Sequence, residues 1–389
     1  MLEVKVCESI DQISREEWNA LCGSDYPFLR HEFLHALEQS GCVSAKTGWQ
    51  PLHLRLEQDG ILVGVMPLYL KNHSYGEYVF DWAWADAYSR HGLDYYPKLL
   101  TAIPFTPSQG PRFGINIPLE QAIPAIAQAT KVLCERFQAS SWHGLFTESV
   151  VKDHFSSCGM LPRLGTQYHW HNEGYDDFDH FLSRFTSRKR KNLNKERQKI
   201  RGQGIEIRVV EGSNIHDGLL EEFYRCYQLT YLKRGQRGYL NLDFFRLIRN
   251  TLPQHLMMVV AEFREKTVAA ALSFKSSNTL YGRYWGSLDE YENLHFEACY
   301  YRGIEYCIEQ GLRWFDPGAQ GEHKIQRGFK PIETWSVHWI QEPGFRQGIQ
   351  QFLTDETQLM RQRILHLSEG LPFKADTSSQ QGLNTDPDQ

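Results

Sequence analysis

The chain has 389 residues, 41% of them hydrophobic and 13% aromatic, with ten tryptophans and a net charge of −5. This length exceeds one ordinary core and suits two domains, and the apolar content excludes a chain that is disordered outside its ends. The charge excludes a protein that is basic throughout, so a polyanion would have to be met by a local patch.

Met1 to Gln12 alternates like a strand and carries Glu3, Glu8 and Asp11, the reverse of the basic start and apolar run of a secretion signal. The longest apolar runs, Leu256 to Ala261 and Val268 to Leu272, fall far short of the roughly 20 residues that cross a bilayer. Eight cysteines lie scattered without a Cys-x-x-Cys pair, as in reduced, buried thiols and not in a disulfide frame or zinc ribbon. A cytoplasmic protein with no membrane span is expected.

Leu2 to Cys7 reads as a strand, and Arg15 to Leu21 and Arg30 to Gln39 as helices, the second stopped by Ser40 and Gly41. Pro51 to Glu57 and Ile61 to Leu70 are strand-like runs joined through Asp59 and Gly60, a strong hairpin signal. In Tyr75 to Tyr88 alternation sets Phe80, Trp82 and Trp84 on one side, interleaved with Asp81 and Asp86. A helix is expected from Tyr95 to Ala102, then a Pro- and Gly-rich loop, a helix from Gln121 to Phe137, a strand at Trp142 to Phe146, a helix at Val150 to Cys158 and a strand at Gln167 to His171. The acidic stretch Asn172 to Asp179 reads as a boundary.

Phe181 to Arg201 is helical, and between positions 184 and 201 nine Lys and Arg stand against one Glu, a net +8. Its apolar stripe, Phe185, Leu193 and Ile200, is thin, so most of the circumference is wet. After it come a strand at Ile205 to Val210, helices at Leu219 to Leu232 and Phe244 to Thr251, and strands at His255 to Phe263, Val268 to Phe274 and Leu280 to Gly286. A helix from Leu294 to Gln310 closes at Gly311, followed by strands at Trp314 to Asp316 and Trp335 to Ile340, a helix from Phe345 to Leu367 and a polar tail. The organisation expected is residues 1–172, 173–342 carrying the basic helix 184–201, a helix 343–367 and a disordered tail 368–389.

The halves echo each other. Tyr75, Gly76, Glu77, Tyr78 and Tyr281, Gly282, Arg283, Tyr284 each follow a hairpin, and the pairs Tyr95–Tyr96 and Tyr300–Tyr301 follow at matching distances. A duplication places a groove between the copies, where ligand sites tend to lie.

His31, Glu32 and His35 match the metalloprotease pattern, but no third ligand stands at a recognised spacing, so the helix reads as structural. His169 and His171 share a strand face without Cys or carboxylate partners, and no metal site is assigned. Neither a Gly-x-Ser-x-Gly elbow nor a Rossmann fingerprint is present. What stands out is Asp316 to Phe329, where Glu322, His323 and Lys324 follow Gly318 and Gly321: an acid, an imidazole and an ammonium in a row, after glycines that admit close backbone approach.

The hairpin followed by Tyr-Gly-x-Tyr, the helix closed by Gly311, the run to Gly318, the Gly-Glu-His-Lys stretch and Tyr75 to Trp84 together resemble the FemAB-like group, peptidoglycan biosynthesis/recognition proteins described as N-acyltransferases, over nearly the whole chain. The resemblance implies an α/β (α+β) fold of tandem GNAT-like domains with mixed central sheets, and transfer of amino acids from aminoacyl-tRNA to cell-wall precursor peptides. The chain departs from related patterns in two places: Arg283 to Leu288 begins the acetyl-CoA pyrophosphate loop but ends in Leu, and Gln326 stands where Fem-type transferases carry Lys, with Lys324 two residues earlier.

The expected activity is amide formation by direct attack of an amine on an ester or thioester. Glu322 or His323 would be the base and Lys324, with Arg327, would stabilise the oxyanion or donor phosphates. Arg188, Lys189, Arg190 and Lys191 would draw in an anionic donor, either acyl-CoA or aminoacyl-tRNA, beside Arg283. Asp81, Trp82, Tyr95 and Lys98 would line the side that holds a small-molecule or peptide amine. No cofactor is assigned. The rival reading is a non-catalytic module that recognises cell-wall peptide or RNA on a decayed transferase fold.

Overall fold

A computed structural model describes residues 2–233, 235–319 and 321–374. Fifteen strands follow in chain order: β1 Leu2–Cys7, β2 Trp49–Pro51, β3 His53–Gln58, β4 Ile61–Met66, β5 Tyr69–Lys71, β6 Lys98–Thr101, β7 Gly114–Ile115, β8 Ser141–Thr147, β9 Leu161–His171, β10 Ile205–Glu211, β11 Leu256–Phe263, β12 Lys266–Lys275, β13 Thr279–Ser287, β14 Trp314–Asp316 and β15 Lys330–Ile340. They form a four-stranded sheet, β1-β3-β4-β7, and an eleven-stranded sheet, β10-β11-β12-β13-β14-β9-β15-β8-β6-β5-β2. The expected hairpin is present, with Asp59 and Gly60 both at positive φ, as a turn matched to right-handed strand twist requires.

The large sheet is built about its middle. β6 runs parallel to β8 in the first half and β13 parallel to β14 in the second. Each half then gives its last strand away: β9 pairs with β14, β15 pairs with β8, and β9 and β15 pair antiparallel with Gly165 opposite Thr334. The two halves are joined through these exchanged strands.

Their cores are joined as well. Phe28 and Phe33 of the first half, fully buried, pack against Phe274 and Phe244 of the second at centroid distances of 5.0 and 5.6 Å. The C-terminal helix Pro343–Glu369 starts with Pro343 in its first turn and the Glu342 carboxylate accepting from the Phe345 N–H. It lies over β9 and β15 and buries Ile349, Leu353 and Leu367. It runs two residues beyond Leu367, and Phe373 then bridges to Phe185, so the chain stays folded past the expected start of the tail; 375–389 lie outside the described residues. No helix among the described residues is long and apolar enough to cross a membrane.

Two expected elements change type. Tyr75 to Tyr88, read as alternating aromatics, contains a helix, Trp82–Arg90, because Ala83, Ala85 and Ala87 favour helix and Trp84 and Tyr88, one turn apart, form its buried face. Tyr95 to Ala102, read as a helix, is strand β6: Pro97 denies a helix its backbone donor, and Lys98 to Thr101 are buried throughout between β5 and β8. The helix expected from Leu294 is present, but Glu297–Tyr301 is a π-helical turn within it.

Candidate active site

β13 and β14 stay together only from Thr279 to Tyr281 and from Trp314 to Asp316. Beyond that point they part, and the segment following β14 folds back as a short 3-10 helix, Glu322–Arg327. The opening holds a cavity of about 470 Å³ lined by Arg283, Tyr284, Cys299, Tyr300, His323 and Lys324, among others.

Its floor is a buried ion pair. Arg283 Nη2 lies 2.5 Å from Asp316 Oδ2, both side chains 1% exposed. The other carboxylate oxygen accepts from the Gly318 N–H at 2.9 Å and lies 3.6 Å from His169 Nε2. Burial alone would raise the Asp316 carboxyl, but Arg283 and His169 hold it down to about 2. Held by this carboxylate, the loop turns the Gly318 and Ala319 carbonyls onto Lys324 Nζ, at 2.7 and 3.3 Å. Lys324 is 2% exposed, and burial lowers its ammonium to about 8.

His323 faces the same cavity. Its Nε2 is 2.9 Å from the Tyr300 hydroxyl, and burial, Arg327 and Lys324 lower its pKa. Gly321, at φ +102°, must be glycine here: a Cβ would lie 2.5 Å from His323 Cε1.

Glu322 turns the other way. It pairs with Arg363 of the C-terminal helix at 2.6 Å and lines a second cavity of about 460 Å³, walled by Tyr78, Phe80, Arg163 and Gln167. The two cavities share Ala319 and Gly321.

Arg327 points away from both cavities. It bonds Tyr301 and Glu196 at 3.0 Å and stacks 3.5 Å over Phe296, fastening the basic helix Ser187–Gly202 to this region. On that helix Lys189 bonds Gln326, while Arg188, Arg190 and Lys191 make no ion pair among the described residues.

Asp81, Tyr95 and Lys98 come together, but inside the first half and lining neither cavity. Lys98 Nζ donates to Ser74, Glu77 and Asp81; Asp81 accepts from the Tyr95 hydroxyl at 2.6 Å; and Tyr95 lies 3.2 Å from His143, which meets His338 at 2.7 Å. Lys98 is in full burial, which would strip its proton were Glu77 and Asp81 not beside it, and the balance raises its pKa. Trp82 stays 44% exposed. On the helix His31–Gln39 the two imidazoles stack at 5.8 Å and Glu32 bonds Arg30 and Asn19, and no group able to hold a metal occurs among the described residues.

Sequence reasoning did not find Asp316 as the anchor of the loop, His169 beside it, or Tyr300 behind His323. The parallel pairing that delivers Asp316 beside Arg283 is a long-range contact, and His169 looked like half of an imidazole pair, whereas His171 stacks on Trp314.

The FemAB-like family, described as peptidoglycan biosynthesis/recognition, matches residues 9–375. Among solved structures the chain is similar to FemX, at 13% identity over 87% of this chain and 98% of that one, with a TM-score of 0.51. It is also similar to the C-terminal domain of a putative lysylphosphatidylglycerol synthetase from Agrobacterium fabrum (11% identity, 92% and 98% covered, TM-score 0.53) and to L-PGS from Bacillus licheniformis (12%, 86% and 97%, 0.50). A search of the curated proteins found no match. The mixed α/β architecture expected from the sequence is the one observed.

Proposed function

The chain belongs to the FemAB-like family of peptidoglycan biosynthesis/recognition proteins, and from that premise we propose that it is a transferase that joins an acyl or aminoacyl group to an amine. The observation that carries this reading is that consecutive residues, His323 and Lys324, turn an imidazole and an ammonium into one cavity, over the buried Arg283–Asp316 pair. Residues 1–172 and 173–342 are the two units of this transferase.

In this reading the amine nitrogen attacks the donor carbonyl carbon. A C–N bond forms, the ester C–O or thioester C–S bond breaks, the amine proton passes to His323, and the departing oxygen or sulfur takes up a proton. A lowered pKa keeps His323 neutral and able to accept. Lys324, its ammonium shielded from water, faces the oxyanion as it develops, where a donor is worth more than in water. Glu322, committed to Arg363, is left out of the chemistry.

An anionic donor suits Arg188, Arg190 and Lys191, which make no ion pair among the described residues and are fastened near Gln326 through Lys189. The length of that basic face favours aminoacyl-tRNA over acyl-CoA. A cell-wall precursor peptide is the amine acceptor in keeping with the family description. The test is a single-turnover assay with labelled aminoacyl-tRNA or acyl-CoA and a peptide amine. Label recovered in the peptide as an amide supports the proposal; tight binding of peptide or RNA without transfer from either donor contradicts it and supports a non-catalytic module.

A further inference from the structure

His323 is held by more than its own turn. Its ring lies 5.7 Å, centroid to centroid, from Phe296 and from Tyr300, and its Cε1 and Nδ1 edge lies against Gly321. Nε2 meets the Tyr300 hydroxyl at 2.9 Å, whereas Nδ1 makes no hydrogen bond among the described residues. Nδ1 is therefore the ring nitrogen left without a hydrogen-bond partner among the described residues. A neutral imidazole carries one proton, and the partner of one nitrogen decides what the other can do.

Tyr300 is buried, at 3% exposure, and packed on Phe329 and His295. It lies in the π-helical turn Glu297–Tyr301, where an extra residue re-aims the side chains. Cys299 and Tyr300 line the cavity, and Tyr301 turns to Glu196 and Arg327. The charged and titratable groups about the imidazole are Lys324 and Arg327 on its own turn, His295, Cys299 and Tyr300 on the segment packed against it, and Arg283, held by Asp316, on the cavity floor.

We propose that Tyr300 is a positioning residue for the transfer: its hydroxyl accepts the Nε2–H of His323, which leaves the Nδ1 lone pair free to take the amine proton. This rests on the function proposed above for the same cavity. If the hydroxyl donated instead, the proton would sit on Nδ1, and His323 would face the cavity as a donor with no lone pair to offer. Tyr300→Phe keeps the ring and its packing and removes only this control, so both tautomers become populated. About tenfold in kcat is the expected loss, a fraction of the roughly 10²–10⁴-fold that positioned acid–base catalysis supplies, because the base itself remains.

Nitrogen-15 NMR of the imidazole in the full chain, assigned with His323→Gln, reads the tautomer without any substrate. The expected result is the Nε2–H form in the native chain and a mixture in Tyr300→Phe; an Nδ1–H form in the native chain overturns the inference. In the transfer assay, Tyr300→Phe should be slowed about tenfold, and His323→Ala with Tyr300→Phe should be no slower than His323→Ala alone. Full additivity of the two losses overturns the positioning role. A native chain that shows the Nε2–H form but transfers nothing from either donor overturns the transferase reading while the tautomer assignment stands.

Discussion

The carboxylate of Asp316 and the guanidinium of Arg283 are paired at 2.5 Å, each side chain 1% exposed, at the point where β13 and β14 part. One strand ends on this anion, the other passes the cation, and the loop that carries His323 and Lys324 is organised by what the anion has left to accept.

Asp316→Asn should therefore destabilise the protein by about 3–5 kcal/mol, because it leaves Arg283 buried and unpaired. Urea unfolding measures this. The native carboxyl lies at about 2, below its ordinary 3.8, so the unfolded chain binds the proton more readily. The stabilisation is complete above pH 3.8 and is lost as pH falls toward 2; the Asn variant should lack that part of the acid dependence.

The rate of transfer should depend on pH as a bell. His323 must be neutral, and its lowered pKa places the rising limb below pH 6.5; Lys324 must be charged, and its ammonium at about 8 places the falling limb there. His323→Ala should abolish the rising limb. A falling limb that stays where it is in Lys324→Arg would remove Lys324 from this account.

Acid should also loosen the first half. His143 and His338 meet across the β8–β15 junction at 2.7 Å, and burial lowers both, His143 to about 3. Both pKa values fall below that of an unfolded histidine, so stability is greatest above pH 6.5 and drops as pH falls from 6.5 toward 3. The slope is about 1.4 kcal/mol per pH unit for each proton taken up on unfolding. His338→Gln should reduce the slope of unfolding free energy between pH 6 and 4 by about one proton's worth, ~1.4 kcal/mol per pH unit.

Arg188→Glu with Lys191→Glu should weaken tRNA binding at least tenfold at low salt and flatten its salt dependence, without shifting Tm. Both residues are exposed and outside any ion pair among the described residues. Titrations at two salt concentrations decide it; unchanged affinity would detach the basic helix from the donor.

Much of the fold was legible because local signals agreed with it. Asp59–Gly60 gave the hairpin and Gly311 the helix stop. What stayed hidden depended on distant partners. Lys98 is charged and adjoins Pro97, so no local pattern marks it as a buried strand residue; only Glu77 and Asp81, brought over it by the chain, make its burial tolerable. Trp82 to Tyr88 satisfied alternation and helical spacing alike. The exchange of β9 and β15 follows from pairing between segments roughly 170 residues apart and has no local signature. Likewise Glu322, His323 and Lys324 read as one charged row, yet a 3-10 turn sends Glu322 to Arg363 and the other two into the cavity.

The most direct test compares Lys324→Met with Glu322→Gln in single-turnover transfer to a peptide amine. Lys324→Met should slow the step about a hundredfold or more, as loss of an oxyanion donor does, while Glu322→Gln, which removes only a surface ion pair, should stay within about threefold of the native rate. Native-like transfer by Lys324→Met, or loss of transfer in Glu322→Gln alone, would contradict the placement of the chemistry in the His323–Lys324 cavity.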